Sequence, residues 1–136
     1  MAGVRPTCLA MVLCDSVESG SETRGTAILG VFHEFNDVDK FPGTTEPFTV
    51  WLQVSNGNGP AAMELVVERV PADEPEPDLV VSVRFSLTFT SPNDVLEYRA
   101  NFPDGINLEE AGRYRLRLAA DGATILQRYF VVQSKA

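Results

Sequence analysis

The side chains that could do chemistry are few, and their spacing decides how far each can be taken. His33 is the only histidine of the chain. It falls in phase with Val31 and Phe35 in an apolar run, which suits a structural strand residue better than a general base. Nothing near it in sequence supplies a nucleophile with an orienting acid. No Gly-x-Ser-x-Gly, phosphate loop or Gly-x-Gly-x-x-Gly is present. Cys8 and Cys14 are the two thiols. Six residues apart in one extended run, they share a face yet stand about 20 Å from one another, too far to bond. One histidine and two such cysteines lack the convergence of a four-ligand transition-metal site. The expectation is a protein without catalytic residues, metal or cofactor, and not an enzyme.

Carboxylates and guanidiniums are the remaining candidates. Asp37 and Asp39, the group Asp73, Glu74, Glu76 and Asp78, and Asp104 with Glu109 and Glu110 all fall in turn-forming stretches. Loops at one end of a β-sandwich can gather carboxylates around calcium, which takes six to eight oxygens. None of these runs has an EF-hand order, and solvated loop charge is the simpler reading. A small-ligand or calcium-binding domain using these loops is the alternative function. Arg113, Arg115 and Arg117 form a ladder, with Arg84, Arg99 and Arg128 outward or nearly so on other runs. Pairing across strands with Glu64, Glu68 and Glu97 would contribute about 0.2 to 1 kcal/mol each. Alternatively, the ladder joins Trp51 and the apolar Phe130 as a surface for an anionic or protein partner, since Trp and Arg are favoured at interface centres.

Strands must position these groups. From Arg113 to Ala120 the chain alternates without a fault, with Tyr114, Leu116, Leu118 and Ala120 on one side and the arginines on the other. Asp121-Gly122 supplies the positive φ of a tight hairpin, and residues 125–132 return. The Glu110-x-Gly112-x-Tyr114 opening resembles the tyrosine corner of immunoglobulin-like sandwiches. Residues 7–15, 26–35, 48–55, 63–68, 81–89 and 96–102 read as further strands, divided by Gly, Pro, Asn and Asp clusters. Gly30 inside its run suggests a bulge or a close backbone approach. The sum is an all-β, antiparallel two-sheet sandwich of about eight strands.

Three runs break the rule that a sandwich strand is wet on one side. Residues 7–13, 26–35 and 125–132 are apolar on both faces, so something must cover them, whether a loop such as 36–47 or another subunit. The expected function is therefore a non-enzymatic interaction or assembly module, acting through an apolar sheet face and an Arg/Trp surface, with a protein partner or as a homo-oligomer. The candidate contact residues are Trp51, Arg113, Arg115, Arg117 and Phe130.

At 136 residues the chain reads as a single domain, 1–136, with 44% hydrophobic and 22% charged residues. A formal charge of −8 works against nucleic acid and anionic membrane surfaces as partners. The apolar run 9–14 is shorter than the ~7 to 15 residues of a secretory core, and Leu13 before Cys14 is too large for a cleavage site. A cytoplasmic location is expected, where free thiols act as small buried hydrophobes. Four segments, residues 13–15, 25–32, 47–50 and 112–118, resemble in that order a family of small bacterial proteins classed as a domain of unknown function. The resemblance implies an immunoglobulin-like sandwich of bacterial origin and carries no functional residues. Leu116, two after Tyr114, stands where antibody-type domains hold a bridging Cys, so their disulfide is not expected.

Overall fold

Where the sequence alternates with a period of two, the chain is extended. The structure is a computed structural model that describes residues 5–19, 25–71 and 76–135, and it is all-β, with no helix among them. Eleven strands are formed by these residues: β1 (Thr7–Ser19), β2 (Thr26–Val31), β3 (Glu34–Val38), β4 (Gly43–Thr44), β5 (Phe48–Ser55), β6 (Gly59–Arg69), β7 (Asp78–Phe89), β8 (Val95–Phe102), β9 (Asn107–Leu108), β10 (Gly112–Ala120) and β11 (Ala123–Ser134). They build a four-stranded sheet, β2-β1-β5-β8, a five-stranded sheet, β3-β11-β10-β6-β7, and a small ribbon, β4-β9. Their arrangement is sandwich-like, with the first sheet strongly curled.

Two expectations change. The strand count exceeds about eight, because β3, β4 and β9 are short and carry too little alternation to stand out from loops. The pairing is also not wholly antiparallel: β3 runs parallel to β11, with Glu34 opposite Val131 and Phe35 opposite Val132. The single run expected over residues 26–35 breaks at Phe32-His33. There the chain leaves the first sheet, after Phe32 N–H donates to Leu13 O at 3.0 Å, and joins the second. A strand that changes sheets turns a corner of the sandwich.

The hairpin between β10 and β11 forms as its sequence dictates. Asp121 and Gly122 take φ of 49° and 85°, both left-handed as a two-residue primed turn requires. Tyr114, Leu116, Leu118 and Ala120 are fully buried. Opposite them across the core lie Val50, Leu52 and Val54 of β5, and each such side chain contributes on the order of 1.5 to 3 kcal/mol by leaving water. A row of rings ties the sheets together: Phe102 stacks on Phe48 at 4.7 Å, Phe48 meets Phe35 edge-on at 5.0 Å, Phe35 meets Phe130 at 5.4 Å, and Phe130 lies on Tyr114 at 5.7 Å. Tyr114 O–H donates to Glu110 O at 2.6 Å, which ties the corner to the strand that follows it.

Candidate functional site

Trp51 lies on the outer face of its sheet, as its phase requires, but it is only 8% exposed. The cover comes from the chain itself. Residues 7–14 of β1 pair with β5, whereas residues 14–19 pair with β2. The β1–β2 hairpin folds back across β5 to reach the far edge. There Arg99 of β8 donates to Ser19 Oγ at 2.7 Å and to Val17 O at 3.4 Å, and Thr26 Oγ1 donates to Glu97 Oε2 at 2.8 Å. Gly30 sits at the bend with φ of 68°, and a side chain there would run into Asp15. The close approach read from the sequence is therefore real. Under this strap Cys14 is wholly buried and Trp51 Nε1 is buried without a hydrogen-bond partner.

The two cysteines do not share a face. A register shift between Cys8 and Ala10 puts Cys8 opposite Val54 on the core side, while Cys14 faces Thr49 on the other. The bulge moves one residue out of phase and leaves Leu9 half-exposed. Both thiols are free. Burial pushes Cys14 up, helped by the Asp15 charge; burial pushes Cys8 up as well, opposed by its bond to Ala10 O and the charge of Arg128.

The arginine ladder occupies the outer face of the second sheet, partly neutralised. Glu68, 5% exposed, accepts on one oxygen from Arg117 Nε at 2.8 Å and from Arg115 Nη2 at 3.0 Å and Nε at 3.3 Å. Burial pulls its carboxyl pKa upward, but the hydrogen bonds and charges of the two guanidiniums outweigh this and hold it below the usual range. Arg84 pairs with Glu64 at 3.3 Å, and Arg69 pairs with both Asp78 and Glu110. Arg113 instead places its guanidinium carbon over the Tyr129 ring, 3.8 Å from its centre. Of the expected contact residues, then, Arg113 is exposed, Arg115 and Arg117 are half-buried and paired, and Trp51 and Phe130 are buried. Phe130 belongs to the core because its phase matches Val132, and it is 5% exposed between Tyr114 and Phe35. Neither ring presents a face to a partner. Arg128 shares the phase of Phe130, opposite Leu116, and so is not outward: it stands at the open margin between the sheets.

That margin is where exposed groups converge. His33 is not a strand residue; it occupies the exposed break between β2 and β3. A groove of about 700 Å³ passes it, bordered by Phe32, Glu34, Arg113, Tyr129 and Val131. A narrower crevice of about 120 Å³ enters between the sheets beside Arg128, Val31 and Met11, and shares His33 and Tyr129 with the groove. Val31, Tyr129 and Val131 remain 53%, 45% and 43% exposed. The exposure of Val31 and Val131 was legible as two-sided strands; their meeting at one margin follows from the sheet switch, which no local pattern encodes.

The acidic loops disperse. Asp78 and Glu110 are taken by Arg69, and Asp37 Oδ2 accepts from Glu46 N–H at 2.6 Å. Asp39, Glu76, Asp104 and Glu109 are exposed, and Asp73 and Glu74 lie outside the described residues. Asp15, Glu34, Asp37 and Glu46 do line a cleft of about 280 Å³, but no group of three or more His, Cys, Asp or Glu among the described residues is placed to hold a metal ion. No helix among them is long and apolar enough to cross a membrane.

Comparison with solved structures returns domains of large glycosidases. The β-D-glucoside glucohydrolase of Trichoderma reesei matches with a TM-score of 0.48 and 11% identity over 95% of this chain and 19% of that one. The β-glucosidase of Kluyveromyces marxianus, in complex with glucose, matches with a TM-score of 0.43 and 16% identity over 81% and 16%. This chain thus spans less than a fifth of either, and a likeness of this degree carries no argument about activity. No curated protein matches the chain. One family model does, over residues 9–133, so nearly all the strands just described fall within it: the chain belongs to the family of unknown function DUF6941.

Proposed function

We propose that the protein is a non-enzymatic interaction or assembly module that works through the β2–β11 margin. The observation that carries this is the convergence of Val31, Tyr129 and Val131, each more than two-fifths exposed, on one margin, where the groove and the crevice share Tyr129. Large apolar side chains gathered at one place on a surface mark a contact site more often than scattered ones do. The strap accounts for the apolar outer face over Trp51, so the surface still uncovered is smaller than the sequence implies and lies elsewhere. An immunoglobulin-like assignment is supported by the Tyr114 to Glu110 bond, and a reducing, cytoplasmic setting by the two free thiols. The test is affinity capture and light scattering with the wild-type chain and with Val31→Asp and Val131→Asp. A protein partner or self-association that either aspartate abolishes, at unchanged melting temperature, is the expected result. A monomer at tens of micromolar with no capture that depends on these residues removes the reading.

A further inference from the structure

Resting on that reading, we propose that the β2–β11 groove binds an acidic, extended segment of a partner protein, in which carboxylates alternate with apolar side chains. The chain as a whole carries −8, and most of its described arginines are spent internally: Arg69 on Asp78 and Glu110, Arg84 on Glu64, Arg115 and Arg117 on Glu68, Arg99 on the strap. Of the described arginines with no such partner, Arg5, Arg113 and Arg128, the last two border this margin. Arg113 sits over the Tyr129 ring and remains exposed, so its guanidinium is open to a carboxylate, which it can take on two donors. Beside it, one Glu68 faces two guanidiniums, which leaves Arg113, Arg115, Arg117 and Glu68 with a net charge of +2 (three minus one). Glu34 borders the same groove and is the opposing charge; it disfavours an acidic side chain at its own end and so sets the segment's direction.

Val31, Tyr129 and Val131 line the same margin as the two cations, so a ligand must offer apolar groups as well as anions. Arg113 and Arg128 are on opposite faces of the second sheet, and one compact anion does not meet both. An extended strand, with alternate side chains directed apart, does. A second copy of this chain is disfavoured as occupant, because a two-fold contact sets the same patch against itself and would bring these arginines together. An anionic bilayer is disfavoured by the net charge, whereas a flexible acidic segment enters the groove alone.

The experiment is to pan a displayed random-peptide library against the full chain and follow one enriched, synthesised peptide by amide NMR and calorimetry. Enriched sequences should alternate Asp or Glu with apolar residues, and the peptide should shift amides of Val31, His33, Tyr129 and Val131. Arg113→Ala combined with Arg128→Ala should weaken it roughly tenfold or more, with the melting temperature unchanged; Arg113→Lys with Arg128→Lys should recover part of the loss. Enrichment without acidic residues, shifts confined to another surface, affinity indifferent to the double alanine variant, or binding only to phosphatidylserine vesicles would each overturn the proposal. A protein partner lost on Val131→Asp but unaffected by the two arginine changes would sink the acidic ligand and leave the interaction module standing.

Discussion

A single oxygen of Glu68 takes three donors from two arginines, and this sets how the outer face of the second sheet responds to acid. Glu68 is almost wholly covered while Arg115 and Arg117 are about a quarter exposed, so the interaction is screened by water less than a surface pair and more than a core one. Its folded carboxyl lies below the unfolded value, so its contribution is fully present above the unfolded pKa and is lost as pH falls through the lower folded one. Glu68→Gln should therefore cost about 1 to 3 kcal/mol at pH 7 by urea unfolding, and the gap to wild type should shrink toward zero below about pH 4. A gap that stays constant with pH would mean that packing, not charge, holds Glu68. Tyr114 makes a simpler case. Its ring is core and its hydroxyl has one backbone acceptor, so Tyr114→Phe should lose about 1 kcal/mol while changing nothing else. A loss below a few tenths would show the corner bond to be incidental.

At the scale of elements, the strap is the part that sequence reading could not supply. Residues 7–13 and 26–35 showed apolar side chains on both faces, and that pattern asked for a cover, which the strap supplies over Trp51 while Leu9, Leu29 and Val31 stay exposed. It could not say that the cover is the same strand after a bend, because bending depends on Gly30 passing Asp15 and on Arg99 catching Ser19 some eighty residues away. The bulge after Cys8 is hidden for a similar reason: one extra residue inverts a face without altering composition. By contrast β5, β7, β8, β10 and their turns were legible, since long, strictly alternating runs between Gly-, Pro- and Asn-rich turns leave few alternatives. The arginine ladder was legible as a face, and its pairing with Glu68 only as one of several possibilities. The strap makes its own prediction. Trp51 is the only tryptophan, so its emission should be blue-shifted and poorly quenched by acrylamide. Arg99→Ala, which removes two of the three bonds from β8 to the strap, should raise quenching severalfold while far-UV circular dichroism is unchanged. Gly30→Ala should do the same and destabilise by more than about 1 kcal/mol, because alanine must adopt positive φ against Asp15. Quenching that is already high in the wild type would mean the strap is open in solution.

For the whole molecule, the order in which its margins close follows from how far apart in sequence their partners lie. The β10–β11 hairpin joins neighbours across two residues, while the parallel β3–β11 ladder sets Glu34 against Val131, 97 residues on (131 − 34), which closes a loop of most of the chain. Loop closure must be met before such contacts return any free energy, and parallel pairing returns slightly less per residue. The β10–β11–β6 layer should therefore form in the folding transition state, and β3 should dock afterwards. In stopped-flow folding followed by Trp51 emission, Val132→Ala and Leu118→Ala should each lose about 2 kcal/mol or more of stability, since both side chains are buried in the core. Leu118→Ala should slow folding. Val132→Ala, at the β3 contact, should mainly speed unfolding and leave the folding rate within about twofold. Equal partition of the two losses would place β3 in the nucleus and remove the distinction. If the order holds, the groove beside His33 is built where the sandwich closes last and opens first, which is the kind of surface that can adjust to an incoming strand without disturbing the core behind it.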